Sequence, residues 1–265
     1  MRVRSPLHTK TIQFDSVADI YDTYVRAEFD IPFWLSESKS LKGKVLELAC
    51  GTGRVSIPLL KAGVDLSCVD YAPGMLARFR EKLVECNLSC PISCQDMAEL
   101  ELPGRFDLIF IPFHSFSEIT QDARRRAALE RIRAHMTEQG IFVCTLQNPP
   151  VRSASMDGLF RPIGEFPMPG GGKLVVGSRL AFEPSTQLAQ GEQVYDLFSP
   201  DGSLIDHRSL EVSFYLFCRA EFESFVHDLG FEATALYGNY DRSPFEEQSS
   251  PFMIWKLSKR EAGPR

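Results

Sequence analysis

The chain has 265 residues, 44% of them hydrophobic, and a formal net charge of −6 with a pI near 5.5. That length supports one large α/β domain, or a domain with an inserted cap, over a substantial core. The acidic balance argues against a general nucleic-acid binder, which needs a basic face to neutralise phosphates, so the expected partner is a small molecule.

No stretch approaches the ~20 consecutive apolar residues of a membrane helix. The opening MRVRSPLHTK has no apolar signal-peptide run, so a soluble, cytoplasmic protein with reduced thiols is expected. Residues 1–15 are polar. From Ser16 to Trp34, Val17, Ile20, Tyr21 and Tyr24 recur at helical spacing, with Phe29, Phe33 and Trp34 beyond, and predict an amphipathic helix packed on the core. Val45, Leu46, Leu48 and Ala49, interrupted by Glu47, read as a strand buried on both faces. The run breaks at Gly51-Thr52-Gly53, where glycine permits positive φ and a close approach of backbone to ligand. A helix through Val55, Ile57, Leu59 and Leu60 ends at Gly63, and Leu66 to Val69 form a second strand that ends on Asp70. Strand, glycine turn, helix, strand and acid is the plan of a nucleoside-binding βαβ unit, whose terminal carboxylate accepts hydrogen bonds from a ribose diol. A dinucleotide or S-adenosylmethionine would suit it, although Gly51-Thr52-Gly53-Arg54-Val55-Ser56 falls one residue short of the dinucleotide pattern G-x-G-x-x-G.

A helix from Met75 to about Glu85 follows, with Met75, Leu76, Phe79 and Leu83 on one face. Ile92 to Gln95 make a third strand ending on Asp96-Met97. Cys86, Cys90 and Cys94 lack a fourth ligand and a C-x-x-C pair, and they straddle a helix end and a strand; they are read as apolar fillers, with no metal. Phe106 to Phe113 form the fourth strand and run into His114-Ser115-Phe116. Gln121 to His135 form a basic helix whose Arg124, Arg125 and Arg126 are expected to be a solvated face, and Gly140 to Leu146 the fifth strand. Pro149-Pro150, a loop through Met156 and Gly158, and Pro169-Gly170-Gly171-Gly172 mark a change of architecture. Lys173 to Phe217 then alternate as antiparallel strands, with a hairpin turn at Ser199-Pro200-Asp201-Gly202. A helix over Ala220 to Leu229, capped by Gly230, precedes a final hairpin of Phe231–Gly238 and Phe252–Leu257.

The element Glu47-x-Ala49-Cys50-Gly51-Thr52-Gly53, with Asp70-Tyr71-Ala72-Pro73-Gly74-Met75 after the second strand, resembles the class I S-adenosylmethionine-dependent methyltransferases. Their first motif is an acid-x-Gly-x-Gly-x-Gly run, followed by a D-x-S-x-x-M-like element. Ala49 replaces the first glycine and Tyr71-Ala72 the usual polar pair. Leu48 to Gly53 reproduces the last six letters of the D-L-A-C-G-T-G common in the small-molecule branch, and Ala220 to Phe231 is similar to its E-F-x-x-x-L-x-x-x-G-F ending.

The resemblance implies an α/β fold, a doubly wound seven-stranded Rossmann-like methyltransferase sheet with an inserted antiparallel β cap. Residues 1–40 would be a helical lid, 41–150 and 218–265 the cofactor-binding domain, and 151–217 the cap. S-adenosylmethionine would be the cofactor and S-adenosylhomocysteine the product. Tyr21, Arg26, Glu47, Ala49, Gly51, Gly53, Arg54, Asp70, Tyr71, Met75, Asp96, Met97 and Phe113 are the implied cofactor residues. Among them, Tyr21-Asp22 matches the lid's Tyr-Asp pair, Arg26 would meet the cofactor's carboxylate, and Asp96 would accept from the adenine amine with Met97 against the ring. Glu47 and Asp96 tell against an NAD(P)-dependent oxidoreductase, and the other alternative is a non-catalytic nucleoside-binding regulator on the same fold. The acceptor would be a small molecule with an N or O nucleophile. His114 is expected at the methyl-bearing end as base or orienting group, between apolar walls from Trp34 and Tyr215. A monomer or homodimer without nucleic-acid or membrane partners is expected.

Overall fold

The computed structural model describes residues 11–41 and 43–260, so the polar stretch 1–10 lies outside the described residues. Among the described residues eleven strands form: β1 (Val45–Leu48), β2 (Leu66–Asp70), β3 (Ile92–Cys94), β4 (Phe106–Ile111), β5 (Met136–Gln147), β6 (Asp157–Pro167), β7 (Lys173–Glu183), β8 (Leu188–Phe198), β9 (Leu204–Tyr215), β10 (Phe231–Tyr237) and β11 (Phe252–Lys259). Seven of them make one sheet in the order β10-β11-β5-β4-β1-β2-β3, and the other four a separate sheet in the order β6-β7-β8-β9. β1 to β5 are parallel, with Val45 opposite both Leu66 and Leu108, while β11 runs antiparallel to β5 and to β10.

Successive residues of a strand point to opposite faces, and both faces of the large sheet are covered. Val45, Leu108, Phe110, Val143 and Ile254 pack under α2 (Ile31–Ser40), α3 (Ser56–Lys61) and α4 (Pro73–Glu85) through Phe33, Trp34, Leu59, Leu76 and Phe79. Their neighbours Leu46, Leu48, Ile109, Ile111, Phe142 and Cys144 pack on the other face, under α5 (Asp122–His135) and α7 (Arg219–Asp228).

The amphipathic helix expected over Ser16–Trp34 is not continuous. It divides into a 3-10 turn at Phe14–Val17, a single turn α1 (Tyr21–Tyr24) and α2, which has Pro32 in its first turn. The division lets the apolar residues face different partners. Ile12, Val17 and Ile20 pack against Leu174, Val176, Tyr195 and Leu210 of the small sheet, whereas Phe33 and Trp34 join the core of the large one. The two sheets are thus bridged by the N-terminal segment: Asp19 takes two bonds from Arg208 on β9 at 2.6 and 3.0 Å, and the Tyr24 and Tyr195 hydroxyls meet at 2.9 Å.

Two further expectations are corrected. The loop expected through Met156 and Gly158 is instead where β6 begins; Gly158, Pro162 and Gly164 obscure its pattern, and the strand tolerates them because it is an edge strand with register shifts at 157/160 and 162/164. Arg125 is not solvated but 4% exposed, in step with Ala128, Leu129 and Ile132 on the inner face of α5. Its guanidinium donates to the carbonyls of Ile119 and Thr120 at 3.2 and 2.7 Å and lies 3.8 Å from the Tyr215 ring centroid.

Candidate active site

The carboxyl ends of β1, β2, β3 and β4 converge on one crevice, the usual ligand position in an open parallel sheet. It is lined by Ala49, Tyr71, Asp96, Met97, Ser115 and Glu118, with Gln121 and Arg124 from the start of α5 and Thr11 from the N-terminal segment.

The turn after β1 is held in place by Asp70. Its Oδ2 accepts from the Gly51 N–H at 2.7 Å and its Oδ1 from the Ala72 N–H at 2.8 Å, so one buried carboxylate ties the ends of β1 and β2 together. Burial raises its pKa against the pull of those donors. Ala49, Gly51 and Gly53 all have positive φ, at 56°, 56° and 82°. A Cβ on Gly53 would sit 2.2 Å from the Phe79 ring, which excludes any other residue without a shift of α4. Beyond β3, Asp96 caps the following turn by accepting from the Ala98 N–H at 2.8 Å, and it pairs with Arg124 at 2.7 Å.

Across the crevice stands Glu118. Burial first, then the nearby Asp70 carboxylate, push its pKa up to about 8 against a hydrogen bond from Ser115. The crevice therefore concentrates acceptors: Asp96 and Glu118 on its walls and Asp70 behind. Of its lining residues only Arg124 is cationic, and that charge is already paired.

The N-terminal segment crosses the mouth. The Tyr71 hydroxyl donates to the Ile12 carbonyl at 2.7 Å, the Gly74 N–H to Asp15 at 2.7 Å, and the Thr52 hydroxyl to Asp22 at 2.6 Å. The Tyr21 ring packs against Ala18, Ala72 and Met75, and burial together with Glu118 raises its pKa.

Of the residues expected at the cofactor, Ala49, Tyr71, Asp96 and Met97 line the crevice, and Gly51 and Asp70 stand directly behind it. The others are brought elsewhere. Met75 is a core residue under the N-terminal segment. Arg26 is exposed on a separate groove shared with Gly53 and Arg54. Arg54 forks onto Asp30 at 2.6 and 2.7 Å, donates to the Ala27 carbonyl, and covers the Phe113 ring at 3.8 Å.

Glu47 lies on the opposite face of β1, 1% exposed, accepting from the Ser56 hydroxyl at 2.6 Å. Burial pushes its pKa up to about 8. An acid ionising near 4.5 when unfolded and near 8 when folded lowers stability as pH rises through that window. Glu47→Gln should therefore flatten the stability profile between pH 5 and 8, by a few kcal/mol at most at about 1.4 kcal/mol per pH unit. Urea melts across that range check it, and parallel curves for the two proteins would refute it.

The acceptor-side expectations need correction. Trp34 is fully buried, stacked on Phe110 at 4.7 Å and donating to Asp30 at 3.1 Å, so it walls no cavity. Tyr215 lies under Arg125 and donates to Glu221, away from the crevice. His114 is not among the residues lining the crevice; it lines the adjoining hollow and stacks on Phe252 at 5.4 Å. Burial, helped by Arg152, drives its pKa down to about 3, so the imidazole stays neutral near pH 7 and is too weakly basic to serve as general base. Glu118, Gln121 and Arg124 were not anticipated. Among the described residues no three His, Cys, Asp or Glu side chains gather as a metal would require. Cys90 Sγ approaches Cys68 and Cys94 Sγ faces the Tyr71 carbonyl.

Residues 45–140 match the model of a family described as a methyltransferase domain. The chain is 29% identical over 153 residues to a glycine/sarcosine N-methyltransferase of Parasynechococcus marenigrum, covering 55% of this chain and 54% of that one. It is 26% identical over 135 residues to a dTDP-3-amino-3,6-dideoxy-α-D-glucopyranose N,N-dimethyltransferase of Streptomyces fradiae, covering 48% and 51%. The chain spans about half or less of the length of the first curated relatives it matches. The solved structure of the CcbJ methyltransferase from Streptomyces caelestis superposes with a TM-score of 0.79 at 22% identity, over 96% of this chain and 100% of that one, and so shares its fold.

Proposed function

We propose, on the premise that residues 45–140 are a methyltransferase domain of the class I, S-adenosylmethionine-dependent kind, that this chain moves a methyl group from S-adenosylmethionine to a small amine. The observation that carries the reading is the acid-lined crevice at the glycine turn. Asp96 and Glu118 offer acceptor oxygens to an adenine amine and ribose hydroxyls. The pyrophosphate of a dinucleotide would find no unpaired cation among these lining residues.

The cofactor would supply a methyl carbon on positively charged sulfur. With it bound, the amine lone pair would form the new N–C bond as the C–S pair returned to sulfur, and the resulting ammonium would shed its proton to solvent. The chain's own part is alignment and exclusion of water. Ala49, Gly51 and Asp70 shape the turn, Tyr71 and Met97 flank the ring site, and the N-terminal segment closes the mouth. An amine that arrives unprotonated needs no base, which agrees with a His114 too weakly basic to act as one. The two relatives named above for amine methylation support nitrogen as the nucleophile.

The same reading takes residues 1–40 as lid, 41–150 with 218–265 as cofactor domain and 151–217 as cap, in a cytoplasmic monomer or homodimer that uses no nucleic acid. Calorimetry with S-adenosylhomocysteine and with NADH tests it. Saturable binding of the former alone is expected. Binding of NADH without S-adenosylhomocysteine would overturn the proposal, and S-adenosylhomocysteine binding without methyl transfer to any amine would leave a regulator.

A further inference from the structure

Phe113 and His114 are consecutive non-glycine residues with φ of 56° and 69°. Each such residue costs about 1 kcal/mol or more, and strain of this kind concentrates where geometry serves a ligand. Here it sends neighbouring side chains to different places. Ser115 faces the cofactor crevice, while Phe113 and His114 turn into a second hollow of about 900 Å³, open to solvent, between the ends of β4 and β5 and the turn α6 (Pro149–Arg152) that leads to the cap. One residue of backbone separates the two cavities.

The second hollow has apolar walls, with Val151 and Phe252 beside Phe113, and unmet polar groups among them. His114 Nδ1 and Gln147 Oε1 are both shut off from solvent without a hydrogen-bond partner. Buried polar atoms are nearly always satisfied by protein, water or ligand, so two beside one cavity mark a place where a ligand's donors can be received. Arg152 lines the same hollow from its solvent-exposed rim and has no carboxylate partner among the described residues. Its planar fork, engaged by no protein carboxylate, fits a carboxylate or phosphoryl oxygen pair.

We propose that this hollow receives the methyl acceptor, that Arg152 clasps an anionic group on it, carboxylate or phosphoryl, and that Gln147 Oε1 and His114 Nδ1 accept its amine hydrogens. The proposal rests on the methyl-transfer reading above. It makes His114 a positioning residue: a neutral imidazole that accepts an N–H leaves the amine lone pair free to point at the methyl carbon. The anion selects the substrate, and the amine hydrogens set its angle.

The test loads the full chain with S-adenosylhomocysteine and titrates it with succinate in one arm and pyrophosphate in the other, following heat and thermal midpoint. Wild-type protein should bind at least one of them saturably, and the arm that binds tells carboxylate from phosphoryl. Arg152→Gln should weaken that binding more than about tenfold, the scale of a charge-assisted hydrogen bond, with S-adenosylhomocysteine affinity unchanged. Arg152→Lys should recover only part of it. The proposal is overturned if neither anion binds wild type, if Arg152→Gln binds as tightly as wild type, or if Arg152→Gln loses S-adenosylhomocysteine instead, which would give the arginine to the cofactor. The same titration on unloaded protein keeps the two readings apart. Anion binding that depends on Arg152, in a chain that ignores S-adenosylhomocysteine, would sink the cofactor assignment and leave the anion site standing.

Discussion

Asp70→Ala should abolish measurable S-adenosylhomocysteine binding and lower folding stability by about 2–4 kcal/mol. The carboxylate is 7% exposed and is the acceptor for the backbone N–H groups of Gly51 and Ala72, at 2.7 and 2.8 Å. Removing it leaves both donors buried near a cavity, at about 1–3 kcal/mol for each unsatisfied group. It also unties the turn after β1 from the end of β2, so a ribose would lose an acceptor and the shape of its cradle together. Asp70→Asn separates the two effects, since the amide retains one acceptor oxygen and presents an NH₂ to the other N–H. Its stability should fall between wild type and Asp70→Ala. Calorimetry and urea melts on the same preparations are the measurements, and a folded Asp70→Ala with wild-type affinity would remove Asp70 from the site.

The second large effect is expected far from any ligand. Asp30 is fully buried, accepts two bonds from Arg54, and takes the Trp34 indole N–H at 3.1 Å. Asp30→Ala leaves a guanidinium and an indole donor without their acceptor in the core beside α2, and breaking a buried pair from one side costs about 3–5 kcal/mol. Replacing both partners is far milder. Asp30→Ala with Arg54→Met should regain most of the loss, because the uncompensated charge leaves with the arginine. Chemical denaturation of the two single variants and the double variant gives the coupling. Additive losses would show that the pair is not one unit.

That role for Arg54 was invisible in the sequence, where the letter after the glycine turn invites a ligand contact. The partner, Asp30, lies 24 residues upstream, and nothing local connects them. The βαβ unit itself was legible, because each of its signals is local: an apolar run, a glycine turn, a helical period and a terminal acid. Asp96 was legible for the same reason. Glu118 and Arg152 were not, since each becomes distinctive only through burial or missing partners that the tertiary fold creates. Arg125 could have been found. Its spacing of 3, 4 and 7 residues to Ala128, Leu129 and Ile132 is the period of an inward helix face, which the neighbouring arginines disguised. His114 was rightly placed at the end of β4, and two left-handed residues then aimed it into the other cavity.

The position of β11 bears on how such a chain is made. It lies inside the large sheet, between β5 and β10, with Phe252 opposite Gln147 across more than a hundred intervening residues. A ribosome therefore delivers an interior strand of the main sheet after the whole insertion has already emerged. The β6 to β9 meander pairs only with its own sequence neighbours, so its contact order is low and it can form early. Until residue 259 clears the exit tunnel, however, the apolar edge of β5 has no cover, and that nascent state is where a chaperone would be needed.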